Sequence, residues 1–407
     1  MAKPKLVIFC GAGFSAPRGI PTMERFSTWL RESEFCTKDE QADLDIIHER
    51  CRALTSVIGE SIRNIEQLAS FLSMLSFVYP EFTFDRCRVL VTPAEAIAFI
   101  TKCIAYAFGH PMLRSKDARI STEALRSIVK DASVTFVTTN YDLHIEYAMI
   151  GLGRPPIAGL GRFQKSNGGA FVHGSTAPLY DPRSWKVSEG SGDHDEDELS
   201  IKLFKLHGSV SWMISDSVAF SEHAVAVKSY ADMAPSNFTL DRPGAVSGDA
   251  AWEQWCRETS HLIVPPTVIK SSFFEQDSIM SNCIRDQWIG SSKAIRECDH
   301  LWFVGYSFPQ TDSFIRFFLG ASLFENVRLR QVAVIDPSFD VIQSRARPIF
   351  ASPEIRDMFV PIPAKWEEVN LVHLLGGDYA GALGKRRVHL EEARYMEEFR
   401  RGTGSTS

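Results

Sequence analysis

Five short apolar segments are the feature of this sequence that most restricts its fold. Each is five or six residues long, rich in β-branched side chains, and mainly apolar along its length rather than at every second position. Segments of this kind are typical of strands buried on both faces, as in a parallel sheet covered by helices. The predicted strands are Lys5–Cys10, Ser133–Thr138, Ile201–Leu206, His300–Val304 and Gln331–Ile335.

Unusual residues follow the carboxyl ends of these predicted strands. Four of the five run directly into a glycine-containing or polar cluster, and the fifth ends in Asp336-Pro337. In an open α/β sheet, ligands bind in a crevice at the carboxyl ends of the strands. We therefore predict an α/β fold with a Rossmann-like parallel sheet and a ligand crevice along one edge. The four clusters are Gly11-Ala-Gly13, Thr139-Asn-Tyr-Asp142, His207-Gly208 and Gly305-Tyr-Ser307.

A long segment of mainly helical character separates the first two predicted strands. Apolar residues in Ile62–Leu75 recur on one face of a helix, and Pro93–Phe108 is a second, largely apolar helix. A segment of this length between two strands of one sheet indicates an inserted subdomain. We predict a helical insert over about residues 24–130 that lies over the sheet edge.

The remaining segments are assigned by composition. About residues 151–200 are rich in Gly, Pro and Ser and predict a loop-rich insert, whose acidic run at 193–198 we interpret as a solvated face rather than a cation site. We expect one domain over residues 1–345 and a C-terminal helical tail over 346–407, disordered at its end. Within the tail, Arg386–Arg401 keeps roughly helical apolar spacing amid mixed charges.

The charge balance and the cysteines exclude several classes of protein. Lys and Arg total 44 against 50 Asp and Glu, a formal net charge of −6, so the chain has no general attraction for nucleic acid. No apolar run approaches the roughly 18 residues that span a bilayer. The eight cysteines are scattered without a Cys-x-x-Cys pair, which argues against a disulfide framework or a zinc site. We expect buried free thiols in a reducing cytoplasm and no bound metal.

The first of the clusters is typical of a phosphate-binding turn. Gly11 and Gly13 follow a buried strand, where the absence of Cβ atoms would let backbone N–H groups approach a pyrophosphate. Ser15 would add a hydroxyl donor. The third glycine of the dinucleotide fingerprint is replaced by Ala16, and no short β-α-β unit with an acidic residue about 20 residues on follows. The pattern therefore disfavours a standard dehydrogenase.

Two further clusters supply candidate catalytic side chains. Asn140 can both donate and accept, which suits the orientation of a ribose hydroxyl or a water, and Asp142 can accept from a carboxamide. An equally good interpretation is an Asx-type turn that caps a helix beginning near Leu143. His207 follows a predicted strand and is placed to act as a base near neutral pH. His173 has the same His-Gly pattern but no predicted strand before it, so we rank it well below His207.

The order of these clusters resembles the sirtuin superfamily, and more closely its bacterial sirtuin-like NADase branch. Each motif is modest alone, and the similarity rests on their order over about residues 6–337. The motifs are Gly11-Ala-Gly13 with Ser15 and Gly19-Ile-Pro21, Asn64-Ile-Glu66, Thr138-Thr-Asn-Tyr-Asp142, Leu206-His-Gly-Ser209 with Trp212, Ile263-Val-Pro-Pro-Thr267 and Gly305-Tyr-Ser-Phe308.

This resemblance implies that NAD⁺ binds in an extended crevice. Asn140 and His207 match the family's catalytic asparagine and histidine, and Asp142 matches the residue that meets the nicotinamide carboxamide. The glycine turn with Ser15 would hold the pyrophosphate and the neighbouring ribose. Gly305, Tyr306 and Ser307 would line the adenosine end, and Asp336 would lie near the adenosine ribose. The implied NAD⁺-binding residues are Gly11, Ala12, Gly13, Ser15, Ile20, Pro21, Thr139, Gly305, Tyr306, Ser307 and Asp336.

Two departures from the family bear on the reaction. The protein-deacylating sirtuins carry paired zinc-binding cysteines, and no such pairs occur here. Their Gly-Ile-Pro is followed by Asp-Phe-Arg, where this chain has Thr22-Met-Glu24. The missing zinc module favours hydrolysis of NAD⁺ over deacylation, and we expect no zinc. The alternatives left open are an NAD-dependent protein deacylase and a non-catalytic nucleotide-sensing module.

The resemblance also implies a biological role. The bacterial relatives are NAD⁺ glycohydrolases that release nicotinamide and ADP-ribose, and they act as abortive-infection effectors against phage under the control of a partner or sensor. For this chain we expect the same activity in the cytoplasm, regulated through homo-oligomerisation and a separate protein. A HerA-like ATPase is the favoured partner and a short Argonaute-type protein is the other, with no membrane and no direct nucleic-acid contact.

Overall fold

The computed structural model describes residues 3–57, 62, 64–114, 125–151, 157–158, 163–165, 171–173, 201–215, 224–227, 249–265, 279–309, 312–350 and 352–383. The strands in these residues are β1 (Lys5–Cys10), β2 (Ser133–Thr138), β3 (Ile157–Ala158), β4 (Phe163–Lys165), β5 (Phe171–His173), β6 (Lys202–Lys205), β7 (Gly208–Ser215), β8 (Ala224–Val227), β9 (His261–Ile263), β10 (His300–Val304), β11 (Gln331–Ile335) and β12 (Phe359–Ile362). The helices are α1 (Ala12–Ser15), α2 (Met23–Glu32), α3 (Lys38–Ser56), α4 (Ile65–Val78), α5 (Pro93–Arg114), α6 (His144–Gly151), α7 (Asp249–Glu258), α8 (Ile279–Glu297), α9 (Ser313–Phe324), α10 (Phe339–Ala346), α11 (Pro353–Arg356), α12 (Leu371–Leu375) and α13 (Tyr379–Ala382).

A seven-stranded parallel sheet forms the centre of the fold, with the strand order β12-β11-β10-β1-β2-β6-β3. Every neighbouring pair in it is parallel. Four of the five predicted strands have the predicted bounds, and the fifth, β6, is shorter by one residue at each end than Ile201–Leu206. The prediction of an α/β fold with a Rossmann-like parallel sheet is confirmed.

Both faces of this sheet are buried, as its unbroken apolar strands require. In β1, the side chains of Leu6, Ile8 and Cys10 enter one apolar layer, while those of Val7 and Phe9 enter the other. All five residues are at most 2% exposed. The first layer lies under α6, α12 and α13, and the second lies under α8, α9 and α10. Each fully buried Leu, Ile or Phe side chain contributes about 1.5–3 kcal/mol to folding.

The register of the sheet brings the carboxyl ends of five strands into line. Cys10 of β1 pairs with Thr138 of β2 on one side and with Val304 of β10 on the other. Lys205 of β6 lies opposite Thr138. Ile335 of β11 lies opposite Val304. The sequence clusters predicted to line a crevice are therefore neighbours along one edge. The residues that directly follow the five aligned positions are Gly11, Thr139, Leu206, Gly305 and Asp336.

A second, antiparallel sheet is missing from the sequence-based prediction. Its strand order is β4-β5-β8-β7-β9, and four of its strands are only three or four residues long, too short to give a clear pattern. β4 and β5 lie within the predicted loop-rich insert, whose acidic run at 193–198 falls outside the described residues. β7 begins at Gly208, directly after His207, so the two sheets are joined at that point.

The described part of the predicted helical insert contains α2 to α5. α4 begins and ends three residues later than predicted, and α5 continues to Arg114. The start of α3 is fixed by a capping box, in which the Thr37 hydroxyl accepts from the Glu40 N–H and the Glu40 carboxylate accepts from the Thr37 N–H. Side chains of the four helices share one core with Tyr141 and Val210, so the insert packs over the carboxyl edge.

The predicted domain boundary at residue 345 needs correction. β12 adds a parallel strand next to β11 and so extends the central sheet to Ile362. The strand escaped prediction because it is only four residues long and contains Pro361, which a sheet tolerates at an edge position such as this one. The predicted tail helix over Arg386–Arg401 lies outside the described residues.

The cysteines are free thiols, as the sequence predicts. Seven of the eight are buried, and Cys87 is half-buried. In the part of the chain that the structure describes, no helix is both long enough and apolar enough to cross a bilayer.

Candidate active site

Two glycine turns lie against each other at the carboxyl edge of the sheet. A Cβ on Gly11 would lie 2.6 Å from the Gly305 carbonyl oxygen, and one on Gly13 would lie 2.8 Å from the Gly305 Cα. Gly305 itself has a φ of +59°, and its Cβ would lie 2.3 Å from the Phe14 nitrogen. These three positions require glycine because the two turns touch through their backbones.

The same contact occupies backbone groups that the sequence analysis assigned to a pyrophosphate. The Gly11 N–H donates to the Val304 carbonyl oxygen at 3.0 Å, and the Gly13 N–H donates to the Gly305 carbonyl oxygen at 2.8 Å. The expectation that these two amides are open to a phosphate therefore needs correction, because both are already hydrogen-bonded within the protein. Their glycines serve first to let the turns meet.

We predict that Gly305→Ala destabilises the protein strongly, while Gly377→Ala does so mildly. Both positions have positive φ, +59° and +78°, but only a Cβ on Gly305 would clash, whereas one on Gly377 would have no atom within 4 Å. Backbone strain alone is worth about 1–2 kcal/mol, and the clash at Gly305 adds to it. Chemical denaturation of the two variants measures the difference, and equal losses of unfolding free energy would contradict this account.

Asn140 is held with its amide group facing the protein. Its Nδ2 donates to the Gly11 carbonyl oxygen at 2.9 Å and to the Ser15 hydroxyl at 3.2 Å. Because the Gly11 oxygen can only accept, the amide cannot be turned over without setting two acceptors against each other. No residue that the structure describes donates to Asn140 Oδ1, so this oxygen remains as an acceptor for a ligand or a water.

Ser15 and Asp142 lie behind Asn140 rather than in the crevice. Ser15 is 1% exposed and Asp142 is 3% exposed. The Asp142 carboxylate accepts a hydrogen bond from the His144 N–H at 2.9 Å, and the nearby Ser15 hydroxyl opposes the rise of the Asp142 pKa that burial causes. The expected contacts of the Ser15 hydroxyl with a pyrophosphate and of Asp142 with a carboxamide are wrong for this arrangement, since both groups are buried and occupied. The capping interpretation is the right one for Asp142, whose carboxylate precedes α6.

Two charged residues that the sequence analysis missed complete this buried group. Lys205, the last residue of β6, donates to the Glu146 carboxylate at 2.7 Å and to the backbone carbonyl of Asp142. Burial raises the pKa of Asp142 and of Glu146 above their ordinary values, and the Lys205 ammonium opposes that rise in both. A lysine and a glutamate at buried positions of a strand and a helix could have been noticed, but their pairing was not visible in the sequence.

His207 follows β6, which is the neighbour of β2, the strand that leads to Asn140. Thr138 of β2 is paired with Lys205 of β6. Asn140 follows Thr138 by two positions and His207 follows Lys205 by two positions, so Asn140 and His207 lie at the same edge of the sheet. The His207 ring packs between the rings of Tyr141 and Trp288, with centroid distances of 6.0 and 6.4 Å. It is 7% exposed. The structure thus places the two residues that the sequence proposed as a catalytic pair at the same edge of the sheet.

Three hydrogen bonds fix the backbone around His207. The Val264 N–H donates to the His207 carbonyl oxygen at 2.9 Å, and the Tyr141 hydroxyl donates to the Val264 carbonyl oxygen at 2.9 Å. On the other side, the Trp288 indole N–H donates to the Leu206 carbonyl oxygen at 2.9 Å. The rival His173 ends β5 of the antiparallel sheet, so the expectation that no strand leads into it is wrong.

The predicted adenosine end lies beside the glycine turns. Ser307 is exposed, whereas Tyr306 is 4% exposed and packs its ring against Phe9 at 5.0 Å, so its side chain belongs to the core. Asp336 is half-buried after β11, and its carboxylate accepts from the Ser338 N–H at 2.8 Å. Burial raises the pKa of Asp336, and this hydrogen bond opposes the rise.

The other predicted NAD⁺-binding residues differ in their exposure. Ala12, Pro21 and Thr139 are half-buried at or near the edge, and the Thr139 N–H donates to the Cys10 carbonyl oxygen at 3.4 Å. Ile20 is 4% exposed and belongs to the core of the helical insert, so its side chain positions the turn rather than lining a crevice.

Two acidic residues reach this region from separate helices. Glu66 lies in the first turn of α4, and Asp312 directly precedes α9. Burial is the largest cause of the raised pKa of Tyr141 and of Tyr306, and the charges of the two carboxylates raise both pKa values further. The helical insert therefore contributes charge to the edge that carries Asn140 and His207. Among the residues that the structure describes, no group of three His, Cys, Asp or Glu side chains is arranged to hold a metal ion.

Comparisons with known proteins give similarity only to solved structures. No family model matches the chain, and no curated protein matches its sequence. A mutant Sir2 homologue in complex with 2′-O-acetyl ADP ribose matches with a TM-score of 0.35 and 16% identity over 94% of each chain. A second mutant Sir2 homologue in complex with ADP ribose gives 0.36 and 14% over 94% of each chain. Sir2Tm bound to a propionylated peptide gives 0.35 and 10% over 93% of this chain and 94% of that one.

The structural neighbours of this chain are thus Sir2 proteins. At 10–16% identity and TM-scores of 0.35–0.36, this similarity does not assign a family or an activity. What the chain does must be argued from its own site residues.

Proposed function

We propose that this chain is a sirtuin-like NAD⁺ glycohydrolase, which cleaves NAD⁺ to nicotinamide and ADP-ribose. The observation that carries the proposal is the position of Asn140 and His207, each two residues beyond the paired ends of adjacent strands, Thr138 and Lys205, and beside the touching glycine turns. Hydrolysis of a glycosidic bond needs one group that orients a water molecule and another that takes its proton. The Asn140 amide oxygen can orient the water, and the His207 imidazole can take the proton.

The chemistry of the substrate sets the demands on the site. Nicotinamide leaves NAD⁺ as a neutral amide, so its departure needs little acid assistance, and the ribose carbon becomes oxocarbenium-like. In the proposed mechanism, Asn140 Oδ1 accepts a hydrogen bond from the attacking water or a ribose hydroxyl. His207 takes a proton from that hydroxyl or water. The packed aromatic rings beside His207 help to exclude other water molecules.

The buried residues have supporting roles in this proposal. The Ser15 hydroxyl accepts from Asn140 Nδ2 and lies close to Asp142, and in this proposal neither Ser15 nor Asp142 meets the substrate directly. Gly305, Ser307 and Asp336 are proposed to lie along the adenosine half of NAD⁺, and Ala12 and Thr139 near its pyrophosphate and nicotinamide ribose.

The proposal predicts equal amounts of nicotinamide and ADP-ribose when the purified chain is incubated with NAD⁺ and no acylated peptide, in parallel reactions with and without a HerA-like ATPase. Chromatographic separation of the products measures both. Product formation only after addition of an acylated lysine peptide would identify a deacylase instead. Binding of NAD⁺ or ADP-ribose without turnover would identify a nucleotide-sensing module. NADP⁺ in a parallel reaction tests the choice between the two dinucleotides.

We further propose that the hydrolase acts as an abortive-infection effector against phage. Uncontrolled loss of NAD⁺ would kill the host cell, so the activity needs a regulator, and we favour homo-oligomerisation together with a HerA-like ATPase over a short Argonaute-type protein. Cellular NAD⁺ measured after phage infection, with and without the partner gene, tests this role. A purified chain that is fully active as a monomer would contradict regulation by a partner.

A further inference from the structure

Two cysteine thiols are in contact inside the helical insert. Cys36 Sγ lies 3.9 Å from Cys103 Sγ, and the two residues are 6% and 0% exposed. Cys36 is in the short connection between α2 and α3, whereas Cys103 is in the middle of α5. Because Cys36 lies outside a helix, small changes in its backbone and side-chain angles can bring the two sulfurs to the disulfide bond length of about 2.05 Å.

The guanidinium of Arg257 lies beside the backbone of Cys36. It stands 4.4 Å from the centroid of the Phe35 ring and donates to the carbonyl oxygen of the peptide bond that joins Phe35 to Cys36. A nearby cation stabilises a thiolate, which is the reactive form of a cysteine. Contact with Cys103 and, less strongly, the Arg257 charge lower the pKa of Cys36, while burial and the charge of Glu40 oppose them.

Cys87 is the natural comparison for Cys36, because it is more exposed but lies beside a negative charge. It is half-buried, whereas the other seven cysteines are buried. Its Sγ contacts the Asp43 carbonyl oxygen at 3.8 Å, and burial together with the Asp43 charge raises the pKa of Cys87 to about 11. Cys87 is therefore almost entirely protonated at neutral pH, and the protonated thiol is a poor nucleophile.

We propose that Cys36 and Cys103 are a hydroperoxide-reactive pair, in which Cys36 is the attacking thiolate and Cys103 is the resolving thiol. The product is a disulfide that joins α5 to the connection between α2 and α3. In a reducing environment, such a bond forms transiently and acts as a sensor of oxidation. This inference goes beyond the proposed hydrolysis of NAD⁺ and does not depend on it, because the reaction involves neither Asn140 nor His207.

The reaction consumes one peroxide for each disulfide. The Cys36 thiolate attacks one oxygen of hydrogen peroxide, the O–O bond breaks, and the released hydroxide takes up the proton that Cys36 has lost and leaves as water. Cys36 is thereby oxidised to a sulfenic acid, and the peroxide is reduced. The Cys103 sulfur then attacks the Cys36 sulfur, so that an S–S bond forms and the S–O bond breaks. The second hydroxide leaves as water with the proton of Cys103.

The order in which the thiols of the parent chain react tests this inference without any substitution. Exposure alone predicts that Cys87 reacts first, whereas the local charges predict Cys36. The folded, reduced protein is treated with hydrogen peroxide for increasing times, and peptide mass spectrometry without a reducing agent follows each cysteine. Cys36 should be oxidised at least about tenfold faster than Cys87, since one unit of pKa changes the thiolate fraction about tenfold. The product should be linked Cys36 and Cys103 peptides, lighter by two hydrogen atoms than the reduced peptides together.

Single substitutions separate the two steps of the reaction. Cys103→Ala removes the resolving thiol, so oxidation should stop at a Cys36 sulfenic acid, which dimedone traps for mass spectrometry. Cys36→Ala removes the attacking thiolate, so Cys103 should stay reduced under the same treatment. Cys51→Ala, at another fully buried cysteine of the insert, is the matched control and should form the disulfide at the parental rate.

Either of two results in the folded parent chain would overturn the inference. One is oxidation of Cys87 before or together with Cys36, and the other is oxidation of Cys36 without a bond to Cys103. Circular dichroism during the reaction shows that the protein stays folded, and the parent chain decides the outcome if a variant does not fold. Neither measurement uses NAD⁺, so a chain that hydrolyses no NAD⁺ contradicts the proposed function alone.

Discussion

Asn140→Ala should lower the rate of NAD⁺ hydrolysis by at least about 100-fold, because a misplaced water or ribose hydroxyl loses that much reactivity. The variant deletes the acceptor Oδ1 together with both hydrogen bonds of Nδ2. The Gly11 oxygen and the Ser15 hydroxyl then lose their donor, which should also cost about 1–3 kcal/mol of unfolding free energy. The rate should therefore be measured at a temperature where circular dichroism shows the variant to be folded.

Asn370→Ala is the matched control for this loss of stability. The Asn370 side chain accepts from the His373 N–H at 3.3 Å and caps α12, on the sheet face away from α8 to α10. Its removal should cost about 0.5–2 kcal/mol and leave the rate unchanged. An Asn140→Ala protein that is folded and hydrolyses NAD⁺ at the parental rate would rule out the role given to Asn140.

His207→Phe should lower the same rate by about 10²–10⁴-fold, the usual contribution of a positioned general base. Phenylalanine keeps an aromatic ring between Tyr141 and Trp288 but carries no nitrogen. The substitution therefore separates proton transfer from packing, which His207→Ala would not do. Steady-state kinetics should show the loss mainly in kcat, because the proposal gives His207 a role in proton transfer and none in binding the substrate before the reaction.

His373→Ala provides the comparison for a histidine outside the edge. His373 pairs with Asp378 at 2.7 Å on the surface, and its side chain is 48% exposed. This variant should hydrolyse NAD⁺ at the parental rate. Equal activity of His207→Phe and His373→Ala would remove the imidazole from the mechanism.

The central sheet could be predicted because its strands are apolar on both faces. β1 has a neighbouring strand on each side and helices on both faces, so its sequence shows an unbroken run of apolar residues. β12 and the antiparallel strands lack that signal, since they are short or lie at an edge. The position of Asn140 and His207 at one edge followed from the same reasoning, because parallel strands share the direction of their carboxyl ends.

The local contacts of the site residues could not be predicted in the same way. The amides of Gly11 and Gly13 are occupied because a turn nearly 300 positions later in the sequence packs against them. Lys205 at the end of a strand looks like an ordinary polar residue, and its partner Glu146 is 59 positions away. Pairings at such sequence distances depend on the assembled sheet, and a single sequence contains no pattern that specifies them.

The two inward hydrogen bonds of Asn140 have a consequence for ligand binding. The rotamer of this side chain is selected while the protein folds, and its conformational entropy is lost at that stage. In the proposed function, an incoming nucleotide therefore encounters a preorganised acceptor and loses no affinity to rotating it into place.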